Sequence, residues 1–183
     1  MEINYSIIIP HKNTPDLLCR CLDSIPKRDD IQIIVVDDNS DEGKVNFSTF
    51  PGINDKCVEV YFTKEGKGAG YARNVGLSYA KGKWLLFADA DDYYVPEILD
   101  ILDKQLSNSL DILFFNVFSN VEGIYNRAKI INEDYELFFK TKDINIIKYK
   151  NWPPWNKVFS KKFIDENKLS FEEIPVGNDA MFS

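Results

Sequence analysis

The residues best equipped for chemistry in this chain are carboxylates at the ends of apolar runs. Asp37 and Asp38 close the run Ile31 to Val36, and Asp89, Asp91 and Asp92 close the run Trp84 to Ala88. Carboxylates crowded on one rim repel one another unless a cation or a hydrogen-bonding ligand stabilises their charge. Hard oxygen donors of this kind suit Mg2+ or Mn2+, which take one or two carboxylates and complete their shell with substrate phosphates. The implied chemistry is the handling of a diphosphate. An isolated Asp-x-Asp is a weak signal, because acidic residues at strand ends also cap helices or face water. For Asp92, followed by Tyr93-Tyr94-Val95-Pro96, a capping role stands beside the metal role.

Other reactive groups are sparse. The one histidine, His11, rules out a zinc site of several histidines and any Ser-His or Cys-His pair not built on it. A lone histidine after a strand is more often a hydrogen-bonded structural residue than a ligand. Cys19, Cys21 and Cys57 lack the C-x-x-C spacing and read as small apolar side chains in a reducing compartment. Gly66-Lys67-Gly68-Ala69-Gly70 looks like a phosphate loop but has neither the G-x-G-x-x-G nor the GK[ST] spacing. It reads as a connection whose glycines let backbone approach a ligand. Trp152 and Trp155 are equally suited to stacking on a sugar and to packing under a sheet.

These side chains must be positioned by strands alternating with helices. Tyr5 to Pro10, Ile31 to Val36, Val58 to Phe62, Trp84 to Ala88 and Asp111 to Val117 read as strands. Helices are expected from Thr14, with Thr14 as N-cap and Pro15 at the first helical position, to Ile25; over Ala69 to Ala80; and from Pro96 to about Leu106. A weaker helix is expected near Val45 to Phe50, a hairpin over Phe118 to Ile131, and a helix around Glu133 to Phe139. Solid apolar strands alternating with helices predict an α/β fold, a mostly parallel sheet covered on both faces. In such sheets ligands bind beyond the carboxyl ends of the strands, where both acidic groups lie.

The chain has 183 residues, 44% hydrophobic and 28% charged, as expected of a globular domain. Its formal charge of −7 argues against nucleic acid as a partner. An acidic protein that binds phosphates needs local compensation, which a divalent cation supplies. No basic n-region and no long apolar run marks a signal peptide or a membrane span, so a cytoplasmic protein is expected. Membrane association would have to come from a surface patch or from residues not in this chain.

At this point the chain resembles the inverting family 2 glycosyltransferases with the GT-A fold, a Rossmann-like three-layer sandwich for nucleotide-diphospho-sugars. Ser6-Ile7-Ile8-Ile9-Pro10 is similar to the family's opening strand, and Leu22-Asp23-Ser24-Ile25 to its first helix. Ile33-Ile34-Val35-Val36-Asp37-Asp38-Asn39-Ser40 resembles its second strand and nucleotide-binding turn. Gly70-Tyr71-Ala72-Arg73-Asn74-Val75-Gly76 resembles its Ala-Arg-Asn-x-Gly helix, and Phe87-Ala88-Asp89-Ala90-Asp91-Asp92 its metal-binding motif. Trp155-Asn156-Lys157-Val158-Phe159 and Asn178-Asp179-Ala180-Met181-Phe182 resemble late acceptor-side segments.

The resemblance implies roles. Asp38 would hydrogen-bond the nucleotide base, uracil, with Pro10 and His11 lining the same pocket. Asp89 would contact the ribose or the water shell of the metal, and Asp91 would ligate the Mg2+ or Mn2+ that bridges the diphosphate. Arg73 would sit near the phosphates or shape the helix that does. Asp179 would be the general base that takes the acceptor hydroxyl's proton. The donor would be a UDP-sugar and the acceptor a glycan or a lipid-linked glycan, at the inner face of the cell membrane. Residues 1–117 would form the nucleotide-sugar-binding half, and 118–183 the start of an acceptor-binding half, in one continuous domain that reads as truncated after Ser183. Two departures stand out: Asn178 replaces the usual Glu beside the base, and His11-Lys12-Asn13 replaces a Tyr-Asn.

Three other readings fit part of the pattern. A receiver domain needs its acidic pair after the first strand and a later Lys-Pro, and a D-x-D-x-[TS] phosphatase needs a hydroxyl where Tyr93 stands. A catalytically inactive nucleotide-sugar-binding module is the third, and release of nucleoside diphosphate separates it from an enzyme.

Overall fold

In the computed structural model, which describes residues 2–120, 126–174 and 182, the expected apolar runs become strands β1 (Tyr5–His11), β2 (Ile31–Asp37), β3 (Val58–Phe62), β4 (Trp84–Phe87) and β5 (Ile112–Phe114). A further strand, β6 (Lys157–Ser160), completes the sheet in the order β3-β2-β1-β4-β6-β5. The first four are parallel neighbours, and β6 runs antiparallel to both β4 and β5. The mostly parallel sheet of the expectation is therefore observed.

Every position of β1 and β2 is buried, because successive side chains enter cores on opposite faces. Ile7, Ile9, Ile33, Val35 and Leu86 meet helix α1 (Pro15–Ser24) through Leu18 and Leu22, and helix α3 (Ile98–Gln105) through Leu99 and Leu102. Ile8, Ile34, Val36, Leu85 and Phe87 meet helix α2 (Ala69–Tyr79) through Ala72, and helix α6 (Lys161–Asn167) through Ile164. The layers are helix, sheet, helix. Helix α2 lies close on β1 because position 76 is glycine; a Cβ there would overlap the Ile8 side chain.

Several expectations are corrected. The helix near 45–50 is only a 3-10 turn, Phe47–Thr49. Thr14 stands at the N-cap of α1, but its side chain makes no capping bond. The hairpin expected over 118–131 is overturned where it is described: Asn126 accepts the Lys129 amide and caps helix α4 (Arg127–Thr141). Residues 121–125 lie outside the described residues. Helix α5 (Ile144–Lys150) and the β6–α6 unit were not anticipated.

Candidate functional site

The carboxyl ends of β1, β2 and β4 open onto a cleft of about 790 Å³. Pro10, His11, Asp38, Arg73, Asp89 and Asp91 all line it, as the sequence grouped them. Lys12, Arg127 and Lys150 join Arg73 as basic residues on its wall, with Gly68, Trp152 and Pro153 nearby. Basic and acidic groups in one cleft suit a polyanion together with a cation, which answers the compensation demanded by the net charge.

The five carboxylates do not converge equally. Asp37 faces inward: His11 Nδ1 donates to it at 2.7 Å, and the Ser40 amide and hydroxyl donate at 2.9 and 2.5 Å. Burial disfavours its charge most strongly, yet these hydrogen bonds together hold the carboxyl below its usual range. The other nitrogen of His11, Nε2, accepts the Thr14 amide at 3.1 Å, so the ring carries its hydrogen on Nδ1 and both nitrogens are engaged. The imidazole is fully buried and sits edge-on to Phe50. His11 thus braces the ends of β1 and β2, and only its outer edge belongs to the cleft wall.

That brace sets up Asp38. The Asp38 amide donates to His11 O at 2.8 Å, and Asn39 turns the chain away with φ of 58°. Across the cleft Gly68, at φ 94°, donates its amide to Asp38 Oδ2 at 2.8 Å, and Lys12 Nζ lies 3.7 Å from the same oxygen. Oδ1 of Asp38 is buried and meets no hydrogen-bond partner among the described residues. A buried carboxylate oxygen left unsatisfied costs stability unless a ligand donor meets it.

On the other side, one oxygen each of Asp89, Asp91 and Asp92 lie within 4.8 Å of one another. Asp89 is held by buried Arg73 of α2, whose Nη2 lies 2.5 Å from Oδ1. Arg73 in turn stacks 5.3 Å above the Phe171 ring. Asn74 grips the Phe171 backbone from both sides, donating to its carbonyl at 2.9 Å and accepting its amide at 2.8 Å. Asp92 accepts the Asp89 amide at 3.3 Å, so it caps its own turn and not α3, where Glu97 holds the N-cap position. Arg20 donates to the Asp91 carbonyl, which leaves the exposed Asp91 carboxylate open to the cleft.

Burial first, then the Asp89 charge, pushes Asp92 from an ordinary 3.8 up to about 6. Because the folded value lies above the unfolded one, neutral Asp92 favours folding below 3.8, and that contribution is lost as pH rises through 6. In chelator, Asp92→Asn is expected to raise stability at pH 8 by about 1–3 kcal/mol and to leave it unchanged near pH 4. Urea melts at the two pH values check this, and a gap of equal size at both would refute it. The three carboxylates fit Mg2+ or Mn2+ as a hard oxygen set that a divalent ion would keep ionised.

A second cavity of about 670 Å³ adjoins the cleft at Asp91 and is lined by Tyr93, Phe115, Asn116, Phe118, Arg127 and Trp155, among others. Both tryptophans therefore border cavities. Arg127 and Lys150 were not singled out by sequence, since lysine and arginine are ordinary surface residues until the fold turns them inward; Gly68 lies in the 66–70 run whose glycines were expected to let backbone approach a ligand. Asn178 and Asp179 lie outside the described residues.

The sheet, its acidic rim and the cleft define an α/β protein with a ligand cleft at the carboxyl ends of its strands. The family described as Glycosyl transferase family 2 matches residues 6–166, and the chain belongs to that family. It is 30% identical, over 97% of its length, to the poly(ribitol-phosphate) beta-glucosyltransferase of Bacillus spizizenii, of which the match covers 28%. It is 29% identical to the GalNAc(5)-diNAcBac-PP-undecaprenol beta-1,3-glucosyltransferase of Campylobacter jejuni, over 96% of this chain and 57% of that one. The chain thus spans well under two thirds of these relatives. S. aureus TarS 1-349 in complex with UDP-GlcNAc superposes with a TM-score of 0.75 at 25% identity, covering 98% of this chain and 52% of that one. Mannosyltransferase PcManGT from Pyrobaculum calidifontis, in complex with GDP-Man and Mn2+, shares the fold with a TM-score of 0.67 at 18% identity, over 99% and 50% of the two chains. The GT-A fold is the architecture of this protein.

Proposed function

We propose that this chain carries the donor site of an inverting, Mg2+- or Mn2+-dependent glycosyltransferase. It would move a sugar from a UDP-sugar to a hydroxyl of a glycan or lipid-linked acceptor during surface polysaccharide assembly. The observation that carries this reading is the pairing, in one cleft, of the unsatisfied Asp38 Oδ1 with Asp89 and Asp91 of the Asp89-Asp91-Asp92 cluster. Uracil offers an N–H to a buried carboxylate oxygen, and a diphosphate needs a cation at a carboxylate rim.

Each residue then has a task. Asp38, seated by the His11–Asp37 brace and Gly68, receives the base. Pro10 forms the floor beside it. Arg73 fixes Asp89, which faces the ribose, and Asp91 takes the metal. A bound divalent ion would neutralise charge on the departing diphosphate. Asp179 removes the acceptor proton from the face opposite the leaving group, and a single displacement of this kind inverts the anomeric centre without a covalent nucleophile. Relatives named for ribitol-phosphate and undecaprenol-linked acceptors support a glycan or lipid-linked acceptor. Among the described residues no helix is long and apolar enough to cross a membrane.

The test is a thermal-shift panel of nucleoside diphosphates with and without Mn2+. UDP with Mn2+ at about 100 times its Kd should stabilise the protein by about 2.7 kcal/mol. Asp38→Ala should weaken UDP binding about 10- to 100-fold, the cost of a lost hydrogen bond to a charged group. If no nucleoside diphosphate stabilises the protein with metal, the proposal fails; UDP affinity unaltered by Asp38→Ala removes the base-binding role.

A further inference from the structure

We propose that Lys157 is a positioning residue whose buried ammonium pins the loop forming the far wall of the cleft. Lys157 opens β6 and is 1% exposed. Its Nζ donates to the carbonyl oxygens of Asn151 at 2.8 Å and Pro153 at 2.6 Å, and lies 5.5 Å from the centre of the Phe114 ring. Those two carbonyls flank Trp152, which stands half exposed on the cleft wall with Pro153 and Lys150.

The loop needs such a pin. Pro153 and Pro154 carry no N–H, so at these two positions the loop cannot be tied to neighbouring backbone through its own donors. It can be held through its carbonyls, and a Lys ammonium on a thin stem offers three donors at one point. A neutral network closes the other side. Asn151 Nδ2 and Asn156 Nδ2 donate to Tyr135 Oη of α4 at 2.7 and 2.9 Å, and Asn156 Nδ2 also reaches Asn151 Oδ1 at 2.8 Å. All four side chains are buried, so loop, α4 and β6 are joined by polar contacts that water does not weaken. A buried ammonium is costly unless well hydrogen-bonded, and here two of its bonds meet the cleft-side loop.

The link to donor binding rests on the function proposed above; the pin itself does not. Lys157→Met keeps the stem and removes the donors. Amide hydrogen exchange at Asn151, Trp152 and Trp155, the amides of 151–155, should accelerate at least about tenfold, while β1 and β2 amides keep their protection. Calorimetry with UDP and Mn2+ should show a Kd raised roughly tenfold, because a loosened wall must be ordered on binding. Unchanged exchange at 151–155 overturns the pin. Accelerated exchange with unchanged UDP affinity overturns the positioning role and leaves Lys157 as a packing residue. Should Lys157→Met not fold, proton–nitrogen NMR of the wild-type protein decides: a pinned ammonium gives a slowly exchanging lysine Nζ signal at neutral pH, and its absence refutes the pin. A wild-type protein that binds no nucleoside diphosphate defeats the function proposed above, while the exchange and NMR measurements still judge Lys157.

Discussion

Asp91→Ala is expected to lower sugar transfer by about 10²- to 10³-fold, which corresponds to about 3–4 kcal/mol of transition-state stabilisation. The three carboxylates of the cluster are not equivalent. Asp89 Oδ1 is held by Arg73, and Asp92 Oδ2 accepts the Asp89 amide. Asp91 alone is exposed, with its carboxylate meeting no hydrogen-bond donor among the described residues. Removing it deletes the proposed metal ligand without breaking an internal contact among the described residues, and it also relieves repulsion on Asp92. The unliganded variant should therefore melt at the wild-type temperature or slightly above it. Its stabilisation by UDP should no longer depend on Mn2+. A variant that transfers sugar at the wild-type rate, or that keeps its Mn2+ response, would show that the cluster is not a metal clamp.

Asp179→Asn should reduce transfer by about 10²- to 10⁴-fold, the usual worth of a positioned base, while UDP and Mn2+ still bind with wild-type affinity. This expectation rests on the Asn178-Asp179 motif, in which the base position is retained and its acidic neighbour is replaced. Both flanks of the segment are anchored on strand β4. Phe171 and Phe182 stack at 3.9 Å, and both meet the ring of Phe87, two residues before Asp89. Turnover assays with a nucleoside-diphosphate readout, paired with calorimetry, separate the two effects. Donor affinity that falls together with transfer would assign Asp179 to binding and defeat its role as base.

Much of the proposed donor site was legible in the primary structure because buried parallel strands need apolar residues at every position, and their ends announce themselves as abrupt polar stops. Ile31 to Val36 followed by Asp37-Asp38, and Trp84 to Ala88 followed by Asp89, are such stops. The motif residues of α2 were equally visible, although their use was not. Arg73 acts through Asp89, and Asn74 holds the backbone of a residue 97 positions later. Strand β6 escaped notice because four residues beginning with a lysine carry no periodicity of their own. Val158 and Phe159 become apolar positions of a sheet only when β4 and β5 close on either side.

His11 shows the same division in one residue. Its type and place after the first strand put it at the cleft, but the direction of its ring depended on Asp37, 26 residues away, and on the Thr14 amide. Residue types and local order alone determined the family, the strand ends and the carboxylates there, since these follow from short-range patterns of burial and charge. Only the tertiary structure decided which carboxylates face the ligand and which brace the frame. A carboxylate is oriented by the donors around it, and here those donors come from distant parts of the chain.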